Sequence, residues 1–341
     1  MTVKIVNLAL QGGGSHGAFT WGVLDRLLEE DDRLKFEGIS GTSAGALNAA
    51  VLAQGYSKGG AAMARQALDQ FWGRIGELGQ FGQPQRLIAN QLLGVWGDGF
   101  DFTQNWLEAW QRIFSPYQTN PFNINPLRDV LTELLDIEGI RHCNAIKLFI
   151  SATNVETGRI RVFTRPELTI DALMASACLP FTFQAVEIGG TPYWDGGYVG
   201  NPAIFPLIYN CDTPDVMVVQ VNPLTRPGTP QTAGDIIGRL NEISFNAALI
   251  SEMRAIAFVQ RLIDEGHLVG TQAERLKKML IHVVSAEEQM RALGAASKST
   301  LDPDFLLNLK QIGRTAADQW LDSNWDKIGG QSSVDVKRMF L

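Results

Sequence analysis

Cysteine, histidine and clustered basic residues are all scarce in this sequence of 341 residues, and each scarcity removes a class of explanation. The three cysteines, Cys143, Cys178 and Cys211, are an odd number without metal-like spacing, which points to reduced thiols in a cytoplasmic setting and not to a disulfide framework. The four histidines, His16, His142, His267 and His282, make no HExxH pair, and no DxDxDG loop is present. Neither zinc nor calcium chemistry is therefore indicated, and no cofactor is expected. No stretch reaches the roughly 18 uninterrupted apolar residues of a membrane-spanning helix. The opening run Met1–Leu10 is too short for one and lacks a small-residue cleavage site, so it reads as a buried strand. A formal charge of -7 and a pI near 5.2, with no Lys/Arg cluster, exclude a nucleic-acid partner, because a phosphate backbone demands a basic face. Any membrane contact would have to be apolar and peripheral.

What remains is a globular composition, 45% hydrophobic and 19% charged, in a chain long enough to bury a sizeable core. A strand over 3–10, a glycine loop, a helix to about Glu30 and a strand over 36–40 alternate in the way that predicts a parallel sheet with helices on both faces. Further strands are expected at 147–153, 159–164, 215–221 and 279–284, with a Gly189-Gly190 turn after Ala185–Ile188. Helices are expected at 55–70, 126–136, 170–177, 233–265 and 302–328. The fold class is thus three-layer α/β/α with a central, mostly parallel sheet. One domain is expected over 1–341, with a core of about 5–210, an aromatic-rich insertion of about 71–125 and a C-terminal helical extension of about 223–341. The insertion holds four of the eight tryptophans. Large rings are mostly buried, so packing on the core is the plain reading; a mobile cap lining an acyl-chain site is the sharper one.

Two glycine-bearing turns follow the first two strands. Gly41-Thr42-Ser43-Ala44-Gly45 is a GxSxG pentapeptide between a strand and an alanine-rich helix, the sequence form of a nucleophile elbow with Ser43 at its apex. Gln11-Gly12-Gly13-Gly14-Ser15-His16-Gly17 also satisfies GxGxxG through Gly12, Gly14 and Gly17, so a dinucleotide site is a rival. The acidic residue that such a site needs near the end of the second strand is missing, since Glu37 opens that strand. The other reading of the loop is an anion hole of unobstructed N–H groups.

A serine hydroxyl needs a base. His267 lies in a Glu-Gly-His turn and His282 alternates within an apolar strand, so neither has a supporting context. Asp195 is followed by Gly196 and Gly197, which let the backbone approach another element; an ordinary Asp-Gly turn is the bland alternative.

Taken together, QGGGSHGAF, GTSAG and DGG, with Ala175–Pro180 before the aspartate, resemble the patatin-like phospholipases over roughly residues 5–205. The resemblance implies a dyad in which Ser43 is nucleophile and Asp195 its direct base, with Gly12, Gly13 and Gly14 as the oxyanion hole. Ala44 N–H is an additional donor, and His16, Gly17, Gly41, Gly45, Gly196 and Gly197 support the site. It further implies hydrolysis of carboxylic esters of lipids, of phospholipase A or lysophospholipase type, with a lipid as the partner. A soluble short-chain carboxylesterase or thioesterase, or a weakly active lipid-binding regulatory module, are the alternatives. In one respect the sequence departs from the family: His16 stands where a Lys or Arg is usual, so a cation that titrates near neutrality is expected there. That histidine either helps hold the loop or an anionic head group, or serves as a rival base to Ser43.

Overall fold

The computed structural model describes residues 3–92, 115–267 and 276–341. Residues 93–114, the middle of the aromatic-rich insertion, lie outside them, and so does the lid reading attached to it. Eight strands form one sheet: β1 (Lys4–Leu10), β2 (Leu34–Thr42), β3 (Lys147–Asn154), β4 (Ile160–Thr164), β5 (Val186–Ile188), β6 (Thr191–Asp195), β7 (Asp215–Gln220) and β8 (Leu280–Ser285). Their order is β5-β6-β3-β2-β1-β7-β8, with β4 also paired to β3. The five strands from β3 to β8 along that path run parallel. β4, β5 and β6 form the antiparallel edge.

Side-chain alternation places a core on each face of the sheet. Val6, Leu8 and Leu10 of β1, with Met217 and Val219 of β7, enter one buried cluster. Ala9, Val216 and Val218, the intervening residues, enter the other. A strand buried on both faces reads as a continuous apolar run, which is the pattern of both segments. Helices α1 (Gly17–Leu27), α2 (Ala44–Leu92), α3 (Pro126–Leu134), α4 (Ile170–Ser176), α5 (Ala233–Asp264) and α6 (Pro303–Asn324) supply the outer layers.

Helix α6 starts with Pro303 in its first turn and Asp302 as N-cap, whose Oδ1 accepts the Phe305 N–H at 2.9 Å. It packs directly on α1. A Cβ at Gly22 would stand 1.9 Å from the Lys310 carbonyl oxygen, and one at Gly313 would stand 2.1 Å from that of Phe19. The two backbones therefore meet where each helix offers a glycine. The alanine-rich helix expected after the elbow and the helix expected at 55–70 are one element: α2 begins at Ala44, is kinked where Gly59 and Gly60 leave helical geometry, and continues past residue 70 to Leu92. Phe71 and Trp72 are buried on it, which extends the helix through the change in composition.

Candidate active site

β2 ends at Thr42 and α2 starts at Ala44, so Ser43 alone makes the turn, with φ of 54°. A positive φ is costly for a residue with a Cβ, and it persists only where the surroundings over-determine it. They do so here through several contacts. Ser43 N–H donates to Ser176 Oγ at the end of α4 (3.0 Å), and Ser43 C=O accepts from Ala46 (2.9 Å) and Leu47 (3.1 Å). A Cβ at Gly41 would meet the Gly45 carbonyl oxygen at 2.6 Å, and one at Gly45 would meet that of Leu10 at 2.2 Å. Helix α2 is thereby seated against the ends of β1 and β2.

The glycine loop lies against this turn. A Cβ on Gly12 would be 2.6 Å from Ser43 Cβ, and one on Gly17 would be 2.6 Å from Ala44 Cβ. Gly14, at φ of 60°, faces the Lys298 carbonyl. Within the loop the N–H groups are not equivalent. Gly12 N–H donates to Asn201 Oδ1 at 2.6 Å. Among the described residues, Gly13, Gly14, Ala44 and Gly45 N–H have no acceptor within the chain. Free N–H groups at the start of a helix carry its positive end.

Asp195, the last residue of β6, is fully buried. Its backbone is held by Cys178 C=O, which accepts its N–H at 2.8 Å, and by Thr153 Oγ1, which donates to its C=O at 2.7 Å. Oδ1 accepts the Gly197 N–H at 2.7 Å. Oδ2 has no hydrogen-bond partner among the described residues. Burial pushes the Asp195 pKa up from 3.8 to about 7, against the opposing pull of the Gly197 N–H and the Ser43 hydroxyl. The hydroxyl is thus near enough to favour the charged carboxylate while Oδ2 remains without a formed bond. The neighbouring glycines allow the close packing here: a Cβ at Gly196 would meet the Ser151 carbonyl oxygen at 2.2 Å, and one at Gly197 would strike the Phe245 ring. Cys178, beside Asp195, is a buried thiol pushed up to about 12, chiefly by burial and then by the Asp195 charge.

The histidines lie elsewhere. His16 is buried, with Nε2 2.7 Å from Ser297 Oγ. Burial first, then the Lys298 charge, lowers its pKa to about 3, so the ring is neutral where titration near neutrality was expected. His282 Nε2 is 2.8 Å from Asp215 Oδ1, at the end of β7 opposite the glycine loop. His267 is exposed and meets Glu265. Glu37, in the first half of β2 and away from its C-terminal end, is engaged by the N–H groups of Asp212 and Thr213 and by Lys147. Among the described residues no group of three His, Cys, Asp or Glu side chains is arranged to hold a metal ion, and no helix is long and apolar enough to cross a membrane.

Three polar residues at the site escape sequence reasoning. Asn201 and Asn222 bracket Gly12: Asn222 Nδ2 donates to Gly12 C=O at 2.9 Å, and Asn201 Nδ2 does so at 3.4 Å. Gln11 Oε1 accepts the N–H groups of Val221 and Asn222, both at 2.9 Å. The only sequence signal for the asparagines is that each precedes a proline just beyond a motif or a strand.

No curated protein sequence matches the chain. Among solved structures, VipD from Legionella pneumophila is 17% identical, with 90% of this chain and 66% of that one covered at a TM-score of 0.38. The heterodimeric ExoU-SpcU complex of the Pseudomonas aeruginosa type III secretion system is 16% identical, covering 98% and 74%, at a TM-score of 0.32. A second structure, of full-length ExoU with full-length SpcU, is 15% identical, covering 93% and 53%, at a TM-score of 0.29. The chain thus spans between about half and three quarters of these proteins, and all three superpose weakly. The family model described as patatin-like phospholipase matches residues 8–208, well over half of the chain and including both glycine turns, Ser43 and Asp195. The chain belongs to the patatin-like phospholipase family.

Proposed function

We propose that this chain is a lipid acyl hydrolase that cleaves carboxylic esters through an acyl-enzyme on Ser43, with Asp195 as the base. The observation that carries the reading is the Asp195 carboxyl: fully buried, raised to about 7, influenced by the Ser43 hydroxyl, and with Oδ2 lacking a partner. A carboxyl raised toward neutrality is a far better proton acceptor than an ordinary one. Ser43 Oγ attacks the ester carbonyl as its proton passes to Asp195 Oδ2. The oxyanion is received by the free N–H groups of Gly13, Gly14 and Ala44, in a cradle that needs no rearrangement when charge develops. Collapse expels the alcohol, protonated by Asp195, and leaves the acyl group on Ser43. Water then attacks the acyl-enzyme, with Asp195 again as base, and releases the fatty acid.

Family membership supports lipid esters as the substrate class, and the reading proposed within it is the phospholipase A or lysophospholipase type. Exposed Leu179 and Phe181 follow directly on Cys178, whose carbonyl holds Asp195, so an apolar rim suited to a lipid surface lies beside the carboxyl. The test is hydrolysis of phosphatidylcholine vesicles and of nitrophenyl butyrate, alongside fluorophosphonate labelling located by mass spectrometry. Labelling at Ser43, its loss in Ser43→Ala, and a preference for vesicles over the monomeric ester are expected. Label on another serine, or full activity in Ser43→Ala, would overturn the reading.

A further inference from the structure

A segment far outside the two glycine turns closes over the first of them. Ser297 C=O accepts the Ser15 hydroxyl at 2.9 Å, and Ser297 Oγ lies 2.7 Å from His16 Nε2. A Cβ at Gly14 would stand 2.4 Å from Lys298 C=O, so the backbone of Lys298 rests on the loop. The Lys298 ammonium donates to Asn222 Oδ1 at 2.7 Å. Among the described residues no carboxylate lies within ion-pair distance of it. The charged groups that act on it are Glu242, which is itself held by Arg226 and Arg239, and Arg226. His16 also feels this lysine but is neutral.

A partly buried ammonium without a contacting counter-ion is unfavourable, and burial accordingly pushes the Lys298 pKa down. A neutral donor would fill the same hydrogen bond to Asn222 without that cost. The hydrogen bonds lead from this lysine into the glycine loop. Asn222 Oδ1 accepts from the ammonium, while Nδ2 of the same amide donates to Gly12 C=O at 2.9 Å. The Gly12 carbonyl belongs to the peptide group whose other end is the Gly13 N–H, a free donor one residue from Gly12, which itself lies against Ser43. Hydrogen bonds in series polarise one another, so a donor pulling on a peptide oxygen strengthens the N–H across the same plane.

The geometry points to Lys298 as a positioning residue of the oxyanion cradle, acting through Asn222 on the Gly12–Gly13 peptide. It fixes the plane of that peptide and adds positive potential where the tetrahedral oxyanion forms, without touching substrate. This role rests on the acyl-transfer reading of Ser43. It also supplies, from near the C-terminal end of the chain, the cation that is absent from position 16.

The test compares wild type, Lys298→Met and Lys298→Arg on nitrophenyl butyrate, with KM, kcat, melting temperature and the second-order rate of fluorophosphonate labelling recorded for each. Removal of one direct oxyanion donor costs about 100- to 1,000-fold in kcat, and an indirect contributor is expected to cost less. Lys298→Met should lower kcat and the labelling rate by about 10-fold, with KM and melting temperature little changed, and Lys298→Arg should recover most of the loss. In an Asn222→Ala background, Lys298→Met should have almost no further effect, since the two side chains act in series. A Lys298→Met enzyme within twofold of wild-type kcat overturns the inference. So does an equal loss in Met and Arg variants accompanied by a lowered melting temperature, which would make the lysine a packing element only. Absence of labelling in wild type would remove the acyl-transfer reading itself, a result distinct from a labelled wild type with an inert Lys298→Met change.

Discussion

Burial of Asp195 links activity to stability through one proton. Below its ordinary value of 3.8 the carboxyl is protonated in folded and unfolded chains alike, and its burial costs little. Between 3.8 and about 7 the unfolded chain releases the proton while the folded chain keeps it. Above about 7 the folded chain carries the buried charge in full, so stability is lost as pH rises through this window. Catalysis runs the other way, because only the ionised carboxyl is a base. The kcat/KM profile should therefore rise with pH to a plateau above an apparent pKa near 7. Asp195→Asn should abolish turnover yet stabilise the protein at pH 8 by on the order of 4 kcal/mol, a gain that vanishes near pH 4 in denaturant titrations. A second residue isolates the source of that acid limb. His16 is neutral above about 3, so His16→Gln, which keeps a polar partner for Ser297, should leave the midpoint of the profile in place. A midpoint that moves with residue 16 would assign the proton to the imidazole instead. The turn at Ser43 and the glycine loop could be read from residue types at fixed places in a turn, whereas Asp195 stood out from an ordinary Asp-Gly turn only through the resemblance to the family. Asn201, Asn222 and Lys298 were not legible in the sequence, because a hydrogen bond between distant segments leaves no spacing to read. The neutrality of His16 was also hidden, since it arises from burial beneath a segment about 280 residues away.

At the scale of elements, the site depends on how closely helices approach the sheet and one another. Among the described residues, the Ser43 N–H is partnered by Ser176 Oγ alone, from the end of α4. Ser176→Ala leaves that N–H without its partner, at a cost of about 1–3 kcal/mol in stability. It also loosens the turn that holds φ positive, so kcat should fall with little change in KM. The α1–α6 crossing has less tolerance. A side chain at Gly22 would overlap the Lys310 carbonyl, an atom of a helix backbone that cannot swing aside. Gly22→Val should cost more than about 3 kcal/mol, beyond the usual range for overpacking, whereas Gly73→Ala, with nothing within 4 Å, should be harmless or stabilising. Thermal denaturation of both variants checks the contrast. Strand and helix positions were largely readable from apolar periodicity, down to the β3–β4 hairpin at 154–158. The reach of α2 was not: the kink falls at Gly59 and Gly60, and past it tertiary burial of Phe71 and Trp72 outweighs local composition.

For the whole molecule, the family match and the folding unit have different extents. The match ends at residue 208, but β7 begins at Asp215 and lies beside β1 near the middle of the sheet, with β8 beyond it. Without them, β1 would expose a row of unpaired backbone groups along a flat apolar edge, a template for aggregation. The face carrying Ala9, Val216, Val218 and Ile281 would lose its core as well, together with the cover given by Leu249 and Met253 of α5. Helix α6 adds the contact with α1, and residues 297–298 hold the glycine loop. Strand order and these closures were invisible in the sequence, since periodicity gives elements but not their neighbours. A fragment of residues 1–210 contains every motif residue, from Gly12 to Gly197, and should nonetheless fail as an enzyme. It is expected to be insoluble, or to bind the dye ANS without a cooperative melting transition, and to show no fluorophosphonate labelling at Ser43. A fragment of residues 1–294 keeps all eight strands but lacks Ser297, Lys298 and α6. It should retain strand signal in far-ultraviolet circular dichroism, melt at a lower temperature, and label at Ser43 far more slowly than the full chain. If either fragment labelled at the full-chain rate, the acyl-transfer centre would be complete within the matched region, and the closing role assigned to the later residues would be wrong.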